Sequence, residues 1–75
     1  MEVPTVEITI KMYLQEIRIR MEEAASIAKA AEACSNAGIV EKGLEIALDV
    51  ERLIYEANTL LNAASLISQL GVKQR

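Results

Sequence analysis

The chain has 75 residues, 52% of them hydrophobic, with 11 acidic and 8 basic side chains, no histidine and one cysteine. One small domain is expected. The net charge of −3 argues against nucleic acid and anionic membranes as partners, because both are held through Lys and Arg. The missing histidine removes the commonest general base and neutral metal ligand, and Cys34 alone permits no internal disulfide.

A core of this size rarely supplies more than roughly 3–5 kcal/mol. The hydrophobic content exceeds what such a core can hide, so self-association is expected. Tyr13 and Tyr55 are the only aromatic residues. Burial therefore falls to alanine and aliphatic side chains, which suit close packing of helix on helix.

In chain order, residues 1–4 form a lead-in. Acids and Pro4 stand where a secretory leader would carry basic residues and an apolar run, so a cytoplasmic protein is expected. Thr5 is the expected N-cap.

Residues 5–12 fit two patterns. As a helix, Val6, Ile10, Tyr13, Leu14, Ile17, Met21 and Ala24 share one face. As a strand, Val6, Ile8, Ile10, Met12 and Leu14 alternate with polar neighbours, and β-formers abound. The alternation slips phase before Ile17 with no turn residue there. Charge pairs also fall at helical spacing: Glu7 with Lys11, Glu16 with Arg20, Arg18 with Glu22. A helix over about 5–37 is the main reading, with a short strand ahead of two helices as the alternative.

Residues 22–37 are rich in alanine, the best helix former, and Ala28 and Ala31 continue the same face. Gly38, just after Asn36, is the expected left-handed residue past the helix end. The connection is short, which favours antiparallel neighbours.

A second helix is expected over about 39–70, roughly 48 Å long. Ile46, Val50, Leu53, Ile54, Ala57, Leu60, Leu61, Ala64 and Ile67 give it one broad apolar face. Gly43 weakens its first turns slightly, Gly71 closes it, and residues 72–75 form a basic tail. Its uncharged run, residues 57–72, is too short and too polar to span a bilayer.

Each helix also carries a second, minor apolar stripe. Ile8, Met12 and Ile19 lie opposite the main face of the first helix, and Leu44, Leu48, Tyr55 and Leu66 opposite that of the second. A hairpin of two helices buries only one face of each, and exposed apolar stripes mark interaction sites. These seven residues form the candidate interaction surface. The expected fold is all-α: a helical hairpin that pairs with a second copy into a four-helix bundle.

Candidates for chemistry are few. Glu41, Glu45, Asp49 and Glu56 run down one side of the second helix, and an all-carboxylate metal site is conceivable there. A solvated acidic face eased by Arg52 is the reading taken. The spacing Glu41-x-x-x-Glu45-x-x-x-Asp49 departs from the Glu-x-x-Glu pairs with which all-α nucleotide pyrophosphohydrolases hold magnesium, and the first helix offers no matching pair. Cys34 has no basic neighbour to favour its thiolate, so a packed or dimer-facing cysteine is expected. The glycines are too scattered for a phosphate loop. Asn58, Thr59, Asn62, Ser65 and Ser68 are expected on the solvent side. No catalytic, cofactor-binding or metal-binding residue is assigned.

The reading is a small homo-oligomeric interaction or regulatory module that is not an enzyme, with itself and another protein helix as partners. The alternative is a dimeric DNA-binding regulator resembling the ribbon–helix–helix family. In it, residues 5–12 would pair as strands and Glu7, Thr9 and Lys11 would face the major groove. Glu7 and the acidic net charge depart from that pattern.

Overall fold

The computed structural model describes residues 3–73. Three helices follow one another: α1 (Val3–Asn36), α2 (Val40–Ala47) and α3 (Val50–Lys73). α1 runs up one side of a rod measuring 57 × 14 × 11 Å, and α2 and α3 return along it. Three pairings set the antiparallel register. Val6 lies against Gly71 and Ala31 against Gly43, with Arg20 bonded to Glu56 between them.

Residues 5–12 are helical, which overturns the strand alternative; no strand occurs among the described residues. The β-formers there yield to packing. Within one chain a strand there would have no second strand to pair with, whereas a helix buries Val6 and half-buries Ile10, Tyr13 and Ile17. Thr9 Oγ1 donates to the Thr5 carbonyl at 2.9 Å, a bond that helical backbone geometry offers to threonine. The helix starts at Val3, so Thr5 lies inside its first turn and is not the cap. Pro4 suits that turn, whose N–H groups have no partner within the helix.

The turn at Gly38 is as expected. Gly38 has φ of +89°. The Ile39 amide donates to the Cys34 carbonyl at 2.9 Å and the Gly38 amide to Ser35 at 3.0 Å. These are the paired bonds of a Schellman cap with glycine in the left-handed position.

The expected single second helix is interrupted at Leu48 and Asp49. There the Asp49 amide donates to Ile46 and the Glu51 amide to Leu48. Both bonds span three residues, tighter than the α-helical four. The interruption lets α2 bring the backbone of Gly43 against Ala31 while α3 keeps room for Leu53, the one large side chain fully enclosed among the described residues. Gly71 is likewise not a stop. α3 continues through it to Lys73, and Gly71 is buried against the Val6 methyls. The end of the expected basic tail, residues 74–75, lies outside the described residues.

Val6, Ala24, Ala31, Leu53, Ala57 and Ala64 form the core. Four are alanines, so the helices sit close and little apolar area is removed from water. No helix among the described residues is long and apolar enough to cross a membrane.

Candidate interaction surface

The seven candidate residues are all exposed, from 43% for Ile19 to 72% for Tyr55. They do not form one patch. Ile8, Met12 and Ile19 lie on the side of α1 turned away from its buried residues, as the 100° helical step requires. Tyr55 and Leu66 lie on the far side of α3. Leu44 and Leu48 share a shallow hollow with Glu41 and Glu45 on α2. The acidic side chains therefore interrupt this last pair.

A further apolar surface was not anticipated. Leu14, Met21, Ile54 and Leu61 belong to the main faces expected to close on each other, yet each is 40–56% exposed. With Ile17 and Ala57 they line an open groove of about 360 Å³ between α1 and α3. The polar residue among its lining is Asn58, and none of the lining side chains is charged. The sequence signal was present as the breadth of the two main faces. A hairpin held together by alanines closes the middle of such faces and leaves one flank open.

The other flank is polar. Arg20 Nε donates to Glu56 Oε1 at 3.0 Å, and Arg20 Nη1 donates to Glu16 Oε1 at 2.9 Å. Arg52 Nη1 reaches Glu56 Oε2 at 3.2 Å. The Arg20 side chain is 25% exposed and that of Glu56 34%. The hydrogen bond from Arg20 lowers the Glu56 pKa below its ordinary value, with help from Arg52 and against partial desolvation. Its bonds to Glu16 and Glu56 raise the Arg20 pKa. The network clasps α1 to α3 across one side of the hairpin, and beside it Tyr55, Thr59 and Leu60 complete a small open hollow.

This clasp also takes Glu56 out of the acidic row, since two guanidinium groups hold it. Among the described residues no three acidic or cysteine side chains come together at metal-binding spacing. Cys34 is half-buried near the end of α1. Asn58, Thr59, Asn62, Ser65 and Ser68 are all exposed, and Thr59 Oγ1 donates to the Tyr55 carbonyl at 3.0 Å.

Chemically, the surface offers aliphatic area, one uncharged groove and a closed ion-pair cluster. Comparison with protein-family models, with curated proteins and with solved structures finds no match to this chain.

Proposed function

We propose that the chain is a small homo-oligomeric interaction module, with no catalytic chemistry of its own, built from hairpins that pair into a four-helix bundle. The observation that carries this is unmet burial. A compact monomer of 8.2 kDa exposes about 4,500 Å². This chain exposes 5581 Å², about 1,000 Å² more, polar and apolar together, because it is a rod of 57 × 14 × 11 Å. Among the described residues, fourteen large hydrophobic side chains contribute to that surface, each at least 40% exposed. Such area is covered in use, by a second copy or by a helix of another protein laid along an apolar stripe.

The lone Cys34 favours a reducing, cytoplasmic setting. The DNA-binding alternative has lost its support, because residues 5–12 are helical and no ribbon is available to enter a groove.

Light scattering on the purified chain tests the proposal. A mass of twice 8.2 kDa or more at micromolar concentration is the expected result. A monomer that stays helical and soluble at millimolar concentration would rule the module out as a self-associating one.

A further inference from the structure

We infer that the α1–α3 groove is the self-association face, occupied by the same groove of a second copy, and that the minor stripes stay free of it. This rests on the homo-oligomer reading and names the surface that serves it.

Three observations select the second copy as occupant. First, the extra surface of about 1,000 Å² comes from the rod shape of 57 × 14 × 11 Å, and a second rod laid alongside would bury roughly 800 Å² of each. Second, the lining of the groove is uncharged, so its occupant must present an uncharged aliphatic ridge. The chain owns one: Leu14 and Met21 on α1 and Ile54 and Leu61 on α3 stand up on either side, each about half exposed. Third, α1 and α3 are antiparallel and both walls are aliphatic rows at helical spacing. A two-fold axis through the groove then sets wall against wall, as an isologous contact requires.

The minor stripes fit this occupant less well. Leu44 and Leu48 share their hollow with Glu41 and Glu45, and in a symmetric contact those acids would meet their own copies. The opposite flank is closed by the Arg20–Glu56 clasp. Pairing through the groove leaves Ile8, Met12 and Ile19, and Leu44 and Leu48, on the outside of the bundle.

The test compares the mass of the wild-type chain with those of Leu61→Glu and Leu48→Glu, with circular dichroism on each. The expected result is a dimer for the wild type and for Leu48→Glu, and a helical chain of half that mass for Leu61→Glu. A helical Leu61→Glu dimer overturns the groove assignment and leaves the oligomer reading standing. A wild-type monomer overturns both.

Should Leu61→Glu lose its helical signal, single cysteines decide in a Cys34→Ser background. Asn58→Cys, in the groove, is expected to oxidise to a covalent dimer at least tenfold faster than Thr59→Cys, on the other flank. Equal rates, or a faster Thr59→Cys, overturn the assignment.

Discussion

Gly43 lies so close to Ala31 that a Cβ built on it would stand 2.7 Å from the Ala31 carbonyl oxygen. The atom in the way is backbone, and it belongs to the last turns of α1, so it cannot turn aside as a flexible side chain would. The Ser35 amide nitrogen, one turn further along α1, stands 3.3 Å from the same point.

Gly43→Ala is therefore expected to destabilise the fold despite adding a better helix former. Overpacking costs typically 1–3 kcal/mol, and alanine returns about 1 kcal/mol of helix propensity. A net loss of about 0–2 kcal/mol in urea unfolding, at fixed chain concentration, is the expected outcome, towards the upper end because the obstacle is backbone. Gly71→Ala is the comparison. There the nearest atoms are Val6 methyls at 3.3 and 3.4 Å, which can shift slightly, so its change should stay within about 0.5 kcal/mol. Equal losses in the two variants would show that the α1–α2 approach is looser than described.

Gly38→Ala tests the connection in the same assay. Nothing lies within 4 Å of the added Cβ, so the cost is conformational and comes from φ of +89°. A loss of about 1–2 kcal/mol is expected. Gly38→Asn should lose less, because asparagine tolerates the left-handed region better.

Leu53→Ala removes the only large side chain with no exposure among the described residues. Such truncations cost about 2–5 kcal/mol, a large share of the stability of so small a domain. Thermal melting should find the variant mostly unfolded at temperatures where the parent is intact. Leu44→Ala, at a residue 60% exposed, should melt within a few degrees of the parent.

Acid should loosen the α1–α3 clasp. The Arg20 hydrogen bond holds the Glu56 pKa below its ordinary value of 4.5. A carboxylate whose folded pKa is depressed contributes stability that is present above the unfolded pKa and is lost as pH falls through the folded one. Stability should therefore decline below about pH 4.5. Glu56→Gln should make that decline shallower. Unfolding midpoints measured from pH 7 to pH 3 decide it; parallel curves for Glu56→Gln and the parent would remove Glu56 from the clasp.

By itself the sequence determined what depends on near neighbours along the chain. The Gly38 turn was legible because a Schellman cap uses only local backbone groups. The pairs Glu16–Arg20, Arg18–Glu22 and Arg52–Glu56 follow from helical spacing alone. Alanine propensity declared residues 22–37 helical, one residue past the end of α1 at Asn36, and the doubled apolar stripes declared surface left uncovered. Tertiary structure decided everything that depends on how closely two helices approach. It made residues 5–12 helix, because Val6 gains Gly71 as a partner. It turned Gly43 from a weak spot into a contact point and broke the second helix at Leu48 and Asp49. It joined Arg20 to Glu56 across 36 positions of chain and left Leu14, Met21, Ile54 and Leu61 along an open groove. Hydrophobic periodicity says which direction a helix faces. Side-chain volume at the contact, here mostly alanine and glycine, sets how near the partner comes and which flank of a broad apolar face it fails to cover.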